Sequence, residues 1–175
     1  MATIPLFTEM AERCDFVFRE MRRKKQKLSQ EEAYAILERG TSGVLGLLGD
    51  EGYPYTIPLS YGLEDHKIYF HCALEGHKID AIHHCDKASF CVIDQDEVHP
   101  DEFNTYFRSV IAFGRIRIIS DEEEKKAALH SLGLRYNPDE NAVVAEMDKS
   151  LARTTMLEFT IEHITAKSSL ALLHS

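Results

Sequence analysis

Residues 53–84, YPYTIPLSYGLEDHKIYFHCALEGHKIDAIHH, decide how the rest of the chain is read. In the first part Tyr55, Ile57, Leu59 and Tyr61 alternate with Thr56, Pro58 and Ser60, the two-residue period of a strand with one buried face. Pro58 has no N–H to give a ladder and belongs at an edge or a bulge. Gly62–His66 reads as a turn, after which Lys67–Ala73 sets Ile68, Phe70 and Cys72 against Tyr69, His71 and Ala73. The two runs predict a hairpin.

The alternation stops at Leu74-Glu75-Gly76-His77-Lys78, and Ile79-Asp80-Ala81-Ile82-His83 opens a short helix. Gly76 lets backbone approach a ligand closely, the helix start offers unpaired N–H groups, and Lys78 adds a positive charge, a combination suited to a phosphate. His71 lies on the strand that leads into this corner, so one element can hold both a ring system and its phosphate tail. The same residues also read as a basic loop on a solvated turn, and spacing alone does not separate the two.

On the N-terminal side, Thr41–Leu48 is a strand and Gly49-Asp50-Glu51-Gly52 a hairpin turn feeding the opening stretch. Before them, Ser29 with Glu32 forms a capping box for a helix whose apolar stripe is Ala33, Ile36 and Leu37, ending at Gly40. Residues 1–21 form an extension with a helix expected over Met10–Met21, and 22–175 form one domain. On the C-terminal side, Ser89–Asp94 is a short strand, Gln95–Asn104 an acidic loop, and Tyr106–Ile119 a long strand with a bulge at Gly114. Ser120 and Glu123 predict a second capping box for a helix to about Arg135, Pro138 starts another helix, and Met156–Thr165 closes the chain as a strand. The fold class is mainly β, a six-stranded antiparallel barrel with peripheral α-helices.

The 175 residues suffice for one core, with 44% hydrophobic and 28% charged residues, the composition of a soluble globular protein. A formal net charge of −9 argues against nucleic acid as a partner; the one basic run, Arg22–Lys27, reads as a solvated face, an anion contact or a surface patch. No apolar run is long enough to span a bilayer and no signal core is seen, so a cytoplasmic protein with no membrane partner is expected. Cys14, Cys72, Cys85 and Cys91 lack a CxxC pair and read as reduced thiols. Histidines and cysteines gather between His66 and Cys91, but adjacent His71 and Cys72 face opposite ways on a strand and His83 and His84 diverge on a helix, so no metal site is assigned. Ser109 lies on the face of the long strand opposite Tyr106 and Arg108, and Arg115 and Arg117 share the Ser109 face if no bulge intervenes.

Several segments together resemble a known family. They are Met21-Arg22-Arg23-Lys24, Gly52-x-Pro54-Tyr55-x-x-Pro58-Leu59-x-Tyr61-Gly62, Ile68-Tyr69-Phe70-His71-x-Ala73-x-x-Gly76-x-Lys78, Tyr106-x-Arg108-Ser109-Val110-Ile111, Phe113-Gly114-Arg115 and Ile164-Thr165-x-Lys167. The run from Met21 to Lys167 resembles the pyridoxamine-phosphate-oxidase-like flavin-binding split barrels, most closely the nitroimidazole-resistance (Nim-type) flavin-nucleotide-binding family.

The resemblance implies a split β-barrel of the FMN-binding type and a homodimer with FMN, in some members FAD, at the subunit interface. It places Leu59, Ser60 and Tyr61 along the flavin ring, Ala73 beside them, and Gly76, His77 and Lys78 on the phosphate. His71 matches the family histidine close to the flavin and is the candidate catalytic residue, with Ser109 and Arg115 near the site from the long strand. The implied activity is an FMN-dependent oxidoreductase, nitroimidazole-reductase-like or pyridoxamine-phosphate-oxidase-like, passing electrons from NAD(P)H to a nitroaromatic or other small aromatic substrate. The alternatives are a flavin carrier or sensor without turnover, and a haem or deazaflavin binder on the same barrel. His77 stands where the family more often has arginine, which removes a bidentate, permanently charged phosphate contact, and Ala166 stands where glycine is usual.

Overall fold

The computed structural model describes residues 18–173. Seven strands make one antiparallel sheet: β1 (Ser42–Leu48), β2 (Pro54–Ser60), β3 (Gly62–Glu64), β4 (Lys67–Cys72), β5 (Lys87–His99), β6 (Asn104–Ile118) and β7 (Thr155–Ser168). Four helices surround it: α1 (Gln30–Arg39), α2 (His77–His84), α3 (Glu122–Tyr136) and α4 (Glu140–Ser150). The strand order is β2-β1-β5-β6-β7-β4-β3. The two edge strands, β2 and β3, are therefore consecutive in the chain with only Tyr61 between them, so the sheet curls round until its ends meet at that residue.

This alters two sequence expectations. Among the described residues there are seven strands rather than six, because the chain turns a corner at Tyr61 and residues 62–64 are a strand of their own. The predicted hairpin of residues 55–61 with 67–73 does not form: β2 pairs with β1, Ser42 opposite Ser60 through Leu48 opposite Pro54, while β4 pairs with β7 and with β3. The real β3–β4 turn is only Asp65-His66, both with positive φ (48° and 63°), the backbone pattern of a tight two-residue hairpin loop.

Inside the curl, Leu45, Ile68, Phe70, Phe90, Val92, Val110, Leu157 and Phe159 are buried. The Phe90 ring meets Tyr61 at 5.0 Å and Phe70 at 5.1 Å, both edge to face. Burying each such ring or branched chain contributes roughly 1.5–3 kcal/mol. α1 plugs one opening with Ala33, Ile36 and Leu37, and its capping box is present as the sequence predicts: Glu32 N donates to Ser29 Oγ at 3.1 Å and Ser29 N to Glu32 Oε2 at 2.8 Å.

The acidic run after Asp94 is strand, not loop: Gln95–His99 continues β5 opposite Arg108–Asn104 of β6, and only Pro100–Glu102 forms a 3-10 turn. Asp94 is the extra residue of a bulge between Ile93 and Gln95, where Arg39 forks onto it with two 2.6 Å bonds. The bulge at Gly114 is real, but the inserted residue lies across the ladder at Glu162, since Phe113 faces His163 and Gly114 faces Ile161. Gly114 is required there, because a Cβ would come within 1.9 Å of the Thr160 carbonyl oxygen.

α3 is capped by Asp121, whose side chain accepts from Glu124 N at 2.8 Å, one residue later than the predicted Ser120–Glu123 box. Ile119 N donates to Met156 O at 2.9 Å and keeps the chain extended past the sheet. Pro138 stays outside α4, which Asp139 caps. α3 is pinned to the sheet by charge. Glu158 of β7, buried, accepts from Arg117 Nε and Nη2 at 3.0 Å each and from Lys67 Nζ at 3.0 Å, and Arg117 also pairs with Glu124 of α3. Burial works to raise the Glu158 pKa, but the bonds from Arg117 and Lys67 outweigh it and hold the carboxyl below its ordinary value.

The helix expected over Met10–Met21 lies mostly outside the described residues, and residues 18–21 are not helical. Among the described residues no helix is long and apolar enough to cross a membrane.

Candidate functional site

Where β2 and β4 end beneath α3 and α4, a cavity of about 650 Å3 opens. Its sheet wall is Ser60 of β2, His71 and Cys72 of β4 and the following Ala73; Leu129, Leu132, Gly133 and Tyr136 of α3 face them. Glu146 and Ser150 of α4, with Arg153 and Thr154, complete the rim. The space continues between the two helices as a smaller apolar recess of about 230 Å3, which shares Leu129, Gly133, Glu146 and Ser150 with it. A volume of this size is that of a small-molecule or cofactor site.

Strand alternation sorts the predicted residues. Ser60, His71 and Ala73 come together on the cavity wall. Leu59 turns the other way and packs against the core, and Tyr61 is wholly buried. The Tyr61 hydroxyl donates to Leu37 O at 2.7 Å, and burial, against the opposing pull of the Arg135 charge, pushes its pKa up to about 12. The phenol therefore stays protonated and serves as a core strut.

The corner after β4 has the shape read from the sequence. Gly76 is the N-cap of α2 at φ 125°, a conformation open to glycine, and accepts from Ile79 N at 2.8 Å. No side chain caps this end, which leaves first-turn N–H groups for a ligand. Burial pushes the Cys72 thiol up, with the Lys78 charge working against it; Gly76, His77 and Lys78 themselves do not line the cavity. His77 stacks on Tyr55 with ring centres 4.1 Å apart, and its Nε2 lies 3.6 Å from Asp50 Oδ2.

Ser109 and Arg115 do not join this group. They lie on the outer face of β6, Ser109 opposite Ile93 and Lys167. Arg115 is engaged by Asp86, at 2.7 and 2.9 Å, and by Glu162, at 3.0 Å, and lines a separate cavity of about 410 Å3 with Phe18, Lys87 and Phe113. Around them the outer face exposes Val44, Ile93, Ile111 and Phe113.

The helical half of the cavity escaped sequence reasoning. Tyr136 and Gly133 of α3 and Glu146 and Arg153 beyond it are far from residues 53–84 in the chain. The only available signal was Gly133 inside a helix, which lets α4 approach: a Cβ there would stand 2.6 Å from Val143 Cγ1.

A sequence profile of the pyridoxamine 5'-phosphate oxidase family matches residues 29–168. The chain belongs to this family. Its split barrel is similar to that of a candidate 5-nitroimidazole antibiotic resistance protein from Bacteroides thetaiotaomicron, with a TM-score of 0.67 and 21% identity over 81% of this chain and 86% of that one. It is also similar to the flavocytochrome Anf3 from Azotobacter vinelandii (TM-score 0.72, 23% identity, 86% and 72% covered). A third similar structure is the FAD and haem binding protein from Mycobacterium smegmatis (TM-score 0.70, 24% identity, 83% and 74% covered). At these identities the likeness is one of fold alone, and no curated protein matches the chain. The oxidase-family barrel is thus the frame, and α3 and α4, inserted between β6 and β7, roof the cavity.

Proposed function

We propose that the chain binds a flavin nucleotide, FMN or FAD, in the cavity between β2, β4 and the α3–α4 pair. The observation that carries this reading is the meeting of Ser60, His71 and Ala73 on one wall, with the uncapped start of α2 at Gly76 and the Lys78 charge following Ala73 closely in the chain. Lys78 and the first-turn N–H groups of α2 hold the phosphate. Ser60 and Ala73 lie along the ring, and the Tyr61 backbone fixes the end of the strand that carries Ser60. His71, exposed on the wall, orients a substrate or gives it a proton. The bound flavin supplies electron transfer, which no side chain of the wall can perform.

The activity we assign is that of an oxidoreductase taking electrons from NAD(P)H and reducing a nitroaromatic or other small aromatic molecule, for which the apolar recess between α3 and α4 offers room. The chain works as a homodimer, a second copy covering the exposed Val44, Ile93, Ile111 and Phe113 and bringing the Ser109 and Arg115 face to the shared site. The free thiols of Cys72, Cys85 and Cys91 suit a cytoplasmic setting.

The test is the visible absorption spectrum of freshly purified protein, with mass spectrometry of whatever heat releases. A flavin spectrum with FMN or FAD in the supernatant supports the reading; colourless protein that fails to quench added FMN defeats it. Reduction of nitroaromatics by NAD(P)H at the rate of free FMN alone would leave a flavin carrier without turnover. Because His71 stands exposed on the wall, a haem ligated by it is the second reading, and a Soret band would select it.

A further inference from the structure

The N-terminal part of the described chain builds another cavity, of about 460 Å3, lined by Arg22, Arg23, Lys24, Lys25, Gln26 and Leu170. It shares no lining residue with the cavity of Ser60 and His71. Four consecutive cations around a concavity are notable in a chain whose formal net charge is −9. Lys24 is held by Glu20 at 2.7 Å, whereas Arg22, Arg23 and Lys25 have no carboxylate partner among the described residues.

The segment is fixed in place. The 3-10 turn Lys24–Gln26 closes with Gln26 N donating to Arg23 O at 3.0 Å, and the chain is then tied to β7 by Leu28 N donating to Ala166 O at 3.0 Å and by the Lys27–Lys167 bridge. Gln26 is only 6% exposed, and its Oε1 has no hydrogen-bond partner among the described residues. Ser169, beside Leu170 in the chain, is 3% exposed, and its Oγ likewise finds none among them. Buried polar side chains are normally bonded, so a wall that leaves an amide oxygen unsatisfied is built for something that brings a donor.

We propose that this cavity binds a nucleotide through its phosphates. Arg22, Arg23 and Lys25 take the phosphate oxygens, for which the guanidinium fork is the matching donor, and Gln26 accepts from a hydroxyl or amine of the same ligand. A bare anion satisfies the cations and leaves Gln26 empty; a nucleotide satisfies both. The site stands independently of the flavin assignment.

The experiment is calorimetric titration of ADP, and separately of inorganic pyrophosphate, into the full chain at low salt in the presence of saturating FMN. The Arg22→Ala/Arg23→Ala variant should bind both probes about tenfold more weakly or worse, by loss of about two charge-assisted contacts. Gln26→Leu should weaken ADP several-fold and leave pyrophosphate unchanged. Unchanged FMN quenching in the arginine variant separates this site from the flavin cavity, and because both arginines are exposed the test survives a Gln26 variant that fails to fold. Absence of ADP binding to the unmodified chain, or equal ADP affinity after removal of both arginines, overturns the proposal. ADP binding that is lost in Lys78→Ala and kept in the arginine variant places ADP in the other cavity and overturns it too. Unchanged ADP affinity in a folded Gln26→Leu overturns the assignment of a nucleotide over a bare anion.

Discussion

Tyr136 grips the backbone of Tyr61 on both sides: its Oη accepts from the Tyr61 N–H at 3.0 Å and lies 2.9 Å from the Tyr61 carbonyl oxygen. The same hydroxyl is 2.6 Å from Thr41 O, so one phenol at the end of α3 ties the start of β1 to the corner between β2 and β3. Tyr136→Phe leaves the Tyr61 N–H without this acceptor, at a cost of about 1–3 kcal/mol. The urea midpoint should fall with an unchanged slope. FMN affinity should fall with it, since Tyr136 also lines the cavity. An unmoved midpoint would show that water replaces the phenol without loss.

Lys78→Ala should weaken FMN binding at least tenfold, about 1.4 kcal/mol, and much more than His71→Ala does. The two residues have different tasks in the proposed site, one holding the phosphate and the other facing the ring. Titration of FMN fluorescence measures both. Equal affinity of the Lys78 variant and the unmodified chain would remove Lys78 from the phosphate corner. His77→Arg, which restores a permanent fork at the start of α2, should tighten binding in the same assay.

Glu158 makes the α3 attachment sensitive to acid. Its folded-state pKa lies below the ordinary value because the Arg117 and Lys67 bonds outweigh burial, so its contribution is fully present above the unfolded carboxylate pKa. That contribution is lost as pH falls through the folded value. Glu158→Gln should therefore be less stable at pH 7, by about 1–3 kcal/mol, and its stability should change less steeply with pH in the acid range. Thermal unfolding of the two proteins from neutral pH down to the acid limit of folding measures the difference. Parallel curves would assign the acid dependence to other carboxylates.

Gly114→Ala should be among the most damaging single-methyl changes in the chain. The new Cβ meets backbone rather than a flexible side-chain end, at 1.9 Å from Thr160 O, so β6 and β7 must move apart at the bulge. A loss of about 3 kcal/mol, the upper range for overpacking, is expected in denaturant unfolding. An Ala variant as stable as the parent would mean that the bulge shifts register freely.

The sequence carried each strand's alternation but not its partner. The Tyr55–Tyr61 and Lys67–Ala73 runs were legible as strands because burial alternates along them, yet nothing local says that β2 joins β1 and β4 joins β7. Gln95–His99 was invisible as strand because it has no buried apolar face: all its side chains but Val98 are polar, and Val98 is exposed. The cap of α3 slipped by one residue because Ser120–Glu123 and Asp121–Glu124 are overlapping pairs of the same kind, and the Ile119–Met156 bond chooses between them. Ser60, His71 and Ala73, named on the resemblance, share the cavity wall, and the break of alternation before Gly76 was legible as the start of α2. Leu59 and Tyr61 were assigned on the resemblance, whereas the pleat turns their side chains to the core.

The single-residue link between β2 and β3 also bears on how the protein stays apart from its neighbours. An open sheet has two rims of unpaired N–H and C=O groups, each able to template a foreign strand. Here both rims start from the same residue, and Tyr136 occupies the backbone groups of that residue from the side of α3. Strand-by-strand growth from this corner, the first step toward a fibril, is blocked where both rims are anchored.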